Sequence, residues 1–367
     1  MKPRIMQLTY ALRMGGAENL ALNILKDGQE QYDGLLTGLY LPPGILASVA
    51  ADNGIPWLTL EADGLGRART SWRLYKAIQH HAISLVHVHA PYLLPVVLPA
   101  TLLAGVPLIL TAHSIHTLQT IAWLRQAMRF SAPFMAHTVC VSAPVHRYLA
   151  QALHIAPKHL SIIQNGIDTT KFTPEGGRAK TPWPSDTFVF GNVCRLHEAK
   201  DLENLVNAFA TVHEEFPKTR LLLVGDGEER HKLEILIGQL GLAEVVHITG
   251  LRTDIPNYLR SMDAFVLSSQ HEGMPLAVLE AMASGLPVIA TAVGDIPGLN
   301  RKGETIALVP PKNSASLSSK MRELLCNPPL RGTLAAQGKN FVQKHYSSTT
   351  MTGHYMALYK KKGLAIY

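Results

Sequence analysis

Short apolar runs alternate along the chain with stretches in which apolar positions recur every three to four residues. In the first half the short runs predict strands at residues 4–8, 35–40, 57–60, 85–89, 108–111, 138–141 and 160–164, with helices such as 17–26, 70–81 and 144–153 between them. The second half repeats the scheme, with strands at 188–193, 220–224, 246–249, 264–267, 287–290 and 306–309. A helix opening at Asp201 places Leu202, Leu205, Val206 and Phe209 on one face. Repeated β-α-β alternation predicts parallel sheets covered by helices on both faces. Residues 173–186, TPEGGRAKTPWPSD, break the pattern with Pro and Gly. The expected architecture is therefore α/β: two doubly wound, Rossmann-like domains, 1–172 and 187–345, joined by a linker at 173–186 and followed by a helical segment at 346–367. Ligands of such sheets bind beyond the carboxyl ends of the strands, so the cleft between two of them is the expected site.

Composition narrows the class. With 367 residues, 47% apolar and 17% charged, two packed cores are expected and disorder is not. Cys140, Cys194 and Cys326 are scattered and fit neither a disulfide framework nor a zinc site, which suits a reducing compartment. No secretory signal is expected at the start, and the most apolar stretch, 93–112, is broken by Pro95, Pro99, Gly105 and Pro107, so no spanning helix is expected either. Between Asp63 and Asp168 there is no acidic residue, but there are Arg67, Arg69, Arg73, Lys76, Arg125, Arg129, Arg147 and Lys158. Nucleic acid, acidic lipid and phosphorylated substrates are all candidates for such a face. In the predicted helix around 121–130, Trp123 and Phe130 mix with Arg125 and Arg129, a composition suited to an anionic bilayer or simply to a solvated helix.

The segment 268–291, SSQHEGMPLAVLEAMASGLPVIAT, carries the densest chemistry. A strand ends at Ser268, Glu272-Gly273-Met274-Pro275 forms a turn, and a helix begins near Pro275, runs through Leu276 to about Ser284 and ends on Gly285. Its amino end offers free N–H groups to a phosphate. Glu280, alone among Leu, Ala, Val and Met, needs partners, and ribose hydroxyls would suit it; Glu272, before the helix, would meet a second hydroxyl-bearing group. A solvated Glu272 and a salt-bridged Glu280 are the plainer alternative.

The Glu272 to Glu280 spacing and the flanking residues of this block resemble the Glu-x7-Glu signature of retaining glycosyltransferases, in particular glycosyltransferase family 4. The resemblance implies the glycosyltransferase-B (GT-B) fold, a nucleotide-sugar donor in the second domain, an acceptor in the first, and a closing helix that crosses back to the first domain.

Other positions fit. Arg195-Leu-His-Glu-Ala-Lys200 follows the first strand of the second domain, where two cations can steady a leaving diphosphate; the family has Arg and Lys at this spacing, often with Gly where this chain has Asp201. Met14-Gly15-Gly16-Ala17-Glu18 is an ordinary strand-to-helix turn or, as in the family, a loop approaching the diphosphate. His113, in Thr111-Ala112-His113-Ser114, is structural or, as the family implies, a contact of the transferred sugar. His87 and His89 share a strand face but have no evident third metal ligand. The turns Gly225-Asp226-Gly227 and Gly250-Leu251-Arg252 close further strands, and the family cradles the nucleotide base at the latter.

The reading is a retaining transferase moving a sugar from a nucleoside diphosphate, UDP favoured, to a glycan or lipid-linked acceptor in polysaccharide or glycolipid assembly. No cofactor and no metal are expected, since no Asp-x-Asp motif is present. His113, Arg195, Lys200 and Glu272 are the expected catalytic groups. Gly15, Gly16, Arg195, Lys200, Leu251, Arg252, Glu272, Gly273, Met274, Pro275, Leu276 and Glu280 are the expected donor contacts. Arg67, Arg69, Arg73, Trp123, Arg125 and Arg129 are the candidate acceptor or membrane surface, on a cytoplasmic enzyme peripheral to the membrane. A sugar-nucleotide epimerase or hydrolase, and a non-catalytic nucleotide or nucleic-acid binder, are the rivals. No nucleic-acid partner is expected, because the basic half lacks interleaved exposed aromatics.

Overall fold

The computed structural model describes residues 2–13, 15–40, 42–113 and 115–364, without the side chains of 115–117. It divides into two compact units, Met1–Gly166 with Ser348–Tyr367, and Ile167–Ser347.

The first unit contains β1 (Arg4–Thr9), β2 (Asp33–Gly38), β3 (Trp57–Thr59), β4 (Leu85–Val88), β5 (Leu108–Ala112), β6 (His137–Cys140) and β7 (Leu160–Ile162). They form one parallel sheet in the order β3-β2-β1-β4-β5-β6-β7. Central strands β4, β5 and β6 are buried throughout, whereas the edge strands β3 and β7 are partly exposed. This is why the central runs read as continuous apolar segments rather than alternating ones. The second unit contains β8 (Phe188–Val193), β9 (Thr219–Val224), β10 (Val246–Ile248), β11 (Ala264–Leu267), β12 (Val288–Thr291) and β13 (Ala307–Val309). Its order is β10-β9-β8-β11-β12-β13, again parallel. The chain therefore reverses its direction of travel once in each sheet, between β1 and β4 and between β8 and β11.

Local signals hold where they rest on backbone chemistry. Ser142 caps the helix Ala143–Gln151 by accepting from the Val145 N–H at 3.3 Å. The helix Leu202–Glu215 buries Leu202, Leu205, Val206 and Phe209. Gly285, at φ +75°, ends the helix Leu276–Ala283, with its N–H bonded to the Met282 carbonyl and the Leu286 N–H to the Ala281 carbonyl.

The linker expectation is corrected. The units divide at Gly166/Ile167, and 173–186 is part of the second unit's wall. The Ala179 N–H donates to the Asn257 carbonyl at 2.9 Å, Arg260 Nε to Gly177 at 2.7 Å, and Trp183 Nε1 to Glu244 at 3.0 Å. Pro and Gly there exclude helix and strand, but hydrogen bonds to Glu244, Asn257 and Arg260 still tie the segment down. Ile167 and Phe172 lie in the second core for the same reason. The last helix, Ser348–Lys361, belongs to the first unit, where Met351, Tyr355 and Tyr359 join the core that includes Leu20 and Ile24.

One turn depends on glycine outright. Gly225 has φ +141°, and a methyl group on it would run into the Cys194 carbonyl oxygen. Gly225→Ala is expected to cost about 2–4 kcal/mol in urea unfolding, from left-handed strain plus overlap. Gly241→Ala, at φ +69° with open space around it, should cost only about 1 kcal/mol.

Candidate functional site

In the second unit the reversal of strand order brings the loop after β8 beside the loop after β11, and both open at the carboxyl ends of their strands. The first delivers Lys200 and the second Glu272. Lys200 Nζ lies 2.6 Å from Glu272 Oε1, with both side chains largely withdrawn from water. Ser269 Oγ donates to the same oxygen at 2.6 Å, and Ser268 Oγ donates to the Lys200 carbonyl at 2.8 Å. The Gln270 N–H to Ala199 carbonyl bond, 2.9 Å, ties the loops together at the backbone. Asp201 sits at φ +50°, which explains why the family often has Gly there; Asp is among the residues that tolerate this region best. Its side chain makes no cap bond to the helix Leu202–Glu215 that follows.

Gly294, which the sequence reading did not single out, is part of this construction. It has φ +56°, and a side chain there would run into the Glu272 carbonyl. The neighbouring Asp295 N–H donates to the Gly273 carbonyl at 3.1 Å. The Ser268–Ser269 pair was in the quoted block but carried no assignment; two hydroxyls at a strand's carboxyl end were the available signal.

Arg195 shares the loop with Lys200 but has a different partner. It is 72% exposed and meets Glu228 at 3.1 Å, as does His197 at 3.4 Å. Glu228 is placed by the Gly225–Gly227 turn, whose Asp226 carbonyl accepts the Leu196 N–H at 3.0 Å. Next to that turn, Gly250, at φ +73°, bridges to Gly225. Leu251 projects outward at 71% exposure, and the Arg252 guanidinium lies over the Tyr258 ring at 5.7 Å.

The helix Leu276–Ala283 begins at Pro275 with no side-chain cap, while Met274 is buried beneath its entry. Glu280 emerges from a helix whose Val278, Leu279, Ala281 and Met282 are all buried. No described residue donates a hydrogen bond to its carboxylate. Burial pushes its carboxyl up to about 7, and the nearby charge of Lys171 opposes this. Lys171 comes from the turn after Asp168, far away in sequence, and no local pattern links it to Glu280.

In the first unit, Gly15 is the extended N-cap of the helix Gly16–Gly28. Met14, before it, and Ser114, after His113, lie outside the described residues. Burial raises the Glu18 carboxyl. His113, at the end of β5, meets His89 at 3.3 Å, Nε2 to Nδ1. His87 and His89 are buried and hydrogen-bonded to Tyr359, Thr111 and Gln7. Among the described residues no group of His, Cys, Asp or Glu side chains is arranged to hold a metal ion.

The candidate surface residues divide into two sets. Arg73 donates to the Leu60 and Glu61 carbonyls, and Arg125 to that of Gln119 at 2.6 Å, so both have internal work. The Arg67 guanidinium lies over the exposed Trp123 ring at 5.9 Å and joins the helices Arg67–His80 and Ala122–Ser131. Arg69 and Arg129 point to solvent, as do Trp72 and, at 74% exposure, Phe130. No described helix is long and apolar enough to cross a membrane.

Comparison with known proteins gives this geometry a context. Residues 175–341 match the family model described as glycosyl transferases group 1, and residues 38–171 match glycosyltransferase family 4. The first match lies within the second unit and the second match lies almost wholly within the first. A relative from Escherichia coli, a UDP-Gal:alpha-D-GlcNAc-diphosphoundecaprenol alpha-1,3-galactosyltransferase, is 30% identical over 60% of this chain and 60% of its own. The lipopolysaccharide core biosynthesis glycosyltransferase LpsD of Rhizobium meliloti is 31% identical over 51% of this chain and 54% of its own. The chain therefore spans little more than half the length of either relative. Anabaena HepE, in its complex with UDP-glucose, superposes with a TM-score of 0.86 at 21% identity, over 98% of this chain and 99% of its own. The fold is the two-domain GT-B fold that the resemblance implied.

The environment of Glu280 has a consequence for stability. A carboxyl raised in the folded state contributes stability that is fully present below about pH 4.5 and is lost as pH rises through about 7. Glu280→Gln is expected to be more stable than the wild type at pH 8, by about 1–3 kcal/mol, with the gain fading by pH 5. Urea titrations at the two pH values measure it.

Proposed function

We propose that the protein is a retaining glycosyltransferase that takes its sugar from a nucleoside diphosphate, UDP favoured, and needs no divalent metal. The observation that carries this reading is the Lys200–Glu272 pair at the β8/β11 reversal, beside the uncapped start of the helix Leu276–Ala283. Helix N–H groups and Lys200 suit a diphosphate. Glu272 suits hydroxyls of the sugar, and Glu280, whose carboxylate receives no hydrogen bond from a described residue, suits the ribose diol. Arg195, on an exposed and re-orientable side chain, would join Lys200 as charge develops on the leaving group. Gly15 and Gly16 would let the backbone approach the diphosphate, Leu251 and Arg252 would flank the base, and Gly273, Met274, Pro275 and Leu276 would line the sugar pocket. His113 would contact the transferred sugar. Support for a UDP donor comes from HepE, crystallised with UDP-glucose, and from the UDP-Gal specificity in the name of the E. coli relative.

That relative's name also specifies a lipid-linked acceptor, and a glycan or lipid-linked acceptor is proposed here. The exposed Trp72, Trp123 and Phe130, set among Arg67, Arg69, Lys76 and Arg129, favour a cytoplasmic enzyme resting on an anionic membrane surface through its first unit.

Three measurements test the reading. In calorimetry, Glu280→Ala should weaken UDP-glucose binding by about 1.5–3 kcal/mol, the loss of a charge-assisted hydrogen bond; unchanged affinity in a folded variant would sink the ribose assignment. In turnover assays over a panel of UDP, GDP and ADP sugars, Lys200→Ala should lower kcat by about 10²–10³, EDTA should have no effect, and product NMR should show the donor's anomeric configuration retained. Activity abolished by EDTA and restored by magnesium would overturn metal independence. Donor consumption without a glycosylated product would favour an epimerase or hydrolase. In sedimentation assays, anionic vesicles should bind the protein at low salt and release it as salt rises, with Arg69→Glu/Arg129→Glu removing about 1 kcal/mol per charge. Equal partition to neutral vesicles would remove the membrane claim alone.

A further inference from the structure

Six hydrogen bonds cross the interior of the first unit in one unbroken chain. His113 meets His89 at 3.3 Å, His89 meets Gln7 Oε1 at 2.6 Å, and Gln7 Nε2 donates to the Tyr359 hydroxyl at 3.0 Å. From there Tyr359 meets His87 Nδ1 at 2.7 Å, His87 Nε2 meets Thr111 Oγ1 at 2.7 Å, and Thr111 meets the Tyr355 hydroxyl at 3.1 Å. The chain links the ends of β1, β4 and β5 to the closing helix, and every member except His113 is fully buried. No carboxylate or cation takes part. Burial pushes His87 down to about 3 and His113 to about 4, and His89 lies well below the usual imidazole range, with the neighbouring imidazoles adding to the effect on His87 and His89. Each ring therefore holds one proton, on one nitrogen or the other.

Only one member has a fixed polarity. Imidazoles can exchange tautomers and hydroxyls can rotate, but an amide oxygen can only accept and an amide nitrogen can only donate. Gln7 Oε1 faces His89 Nε2, so His89 carries its proton there and its Nδ1 is bare. The contact between His89 and His113 must then be donated by His113 Nε2. On the other side, Tyr359 accepts from Gln7 and gives its own proton to His87 Nδ1, which leaves His87 to donate through Nε2 to Thr111. Turning the Gln7 amide over would reverse all six bonds and move the His113 proton to Nδ1.

We propose that Gln7 is a positioning residue for the transfer reaction: its amide sets the direction of this chain and so holds His113 with the proton on Nε2 and a bare, accepting Nδ1. That nitrogen has no partner among the described residues. A bare imidazole nitrogen accepts from a hydroxyl, so this side chain would recognise a sugar hydroxyl as a hydrogen-bond donor. The inference deepens the proposed transferase reading and rests on His113 contacting the sugar.

The test is long-range proton–nitrogen NMR on the full chain labelled with nitrogen-15 histidine, with His113→Asn identifying the His113 signals. The wild type should show a protonated Nε2 and a bare Nδ1 for His113. Gln7→Met, of similar length but unable to hydrogen-bond, should give a mixture of tautomers. It should also lower kcat about tenfold or more while leaving UDP affinity by calorimetry within about twofold, a split that general loosening of the fold would not produce. A wild-type His113 protonated on Nδ1, or a Gln7→Met spectrum unchanged from wild type, overturns the proposal. The wild-type spectrum decides even where the variant does not fold. Absence of turnover with any nucleotide sugar overturns the transferase reading and with it the sugar contact, and the spectra separate that failure from a wrong tautomer.

Discussion

The contact between Lys200 and Glu272 is the constraint around which the second unit is arranged. Two opposite charges largely withdrawn from water are costly to separate, because either one left alone keeps its desolvation penalty without the compensating attraction. The surrounding features keep the pair closed. The order of the sheet makes the two loops neighbours, Ser269 shares the carboxylate, Gly294 lets a third loop press against the Glu272 carbonyl, and Asp201 accepts a left-handed conformation so that the helix Leu202–Glu215 can leave directly after Lys200. The pair contributes little to net stability, but it places an ammonium group and a carboxylate at fixed positions before any ligand arrives. Such preorganisation avoids reorganisation at the moment when charge moves.

The two units solve the problem of polar groups at a sheet's carboxyl end in opposite ways. The second keeps charges and pairs them, and burial there holds the Glu280 carboxyl up at about 7. The first keeps its groups neutral: three imidazoles, two phenols, a hydroxyl and an amide satisfy one another without a formal charge. A charged interior strengthens attraction for a charged ligand. A neutral network instead gives direction, because each group between its two ends must both give and receive.

Much of this was legible in the sequence, for identifiable reasons. Strand runs, helix periods and the Gly285 stop all express chemistry within a few residues, and all appear in the structure. Lys200 and Glu272 were each nominated, but their contact spans 72 residues and follows from strand order, which no local pattern encodes. Lys171 beside Glu280 and Gln7 among the histidines escaped notice for the same reason: each is ordinary in its own neighbourhood and acquires meaning from a distant partner. The 173–186 segment misled in the other direction. Its Pro and Gly reported the absence of helix and strand correctly, and said nothing about Asn257, Arg260 and Glu244, which hold it in place.

The closing helix bears on how the molecule is made. Residues 348–364 complete the first unit, yet the whole of the second unit is translated before them. As the chain leaves the ribosome, at about 5–20 residues per second, the first sheet has all seven strands long before Tyr355 and Tyr359 exist to cover it. During that interval, several seconds or more, Gln7, His87 and Thr111 lack their phenolic partners, and the helix Gly16–Gly28 lacks the neighbour that covers its outer face. The second unit, continuous from Ile167 to Ser347, has no such wait. The order of completion is thus the reverse of the order of synthesis: the part made first is the last to close.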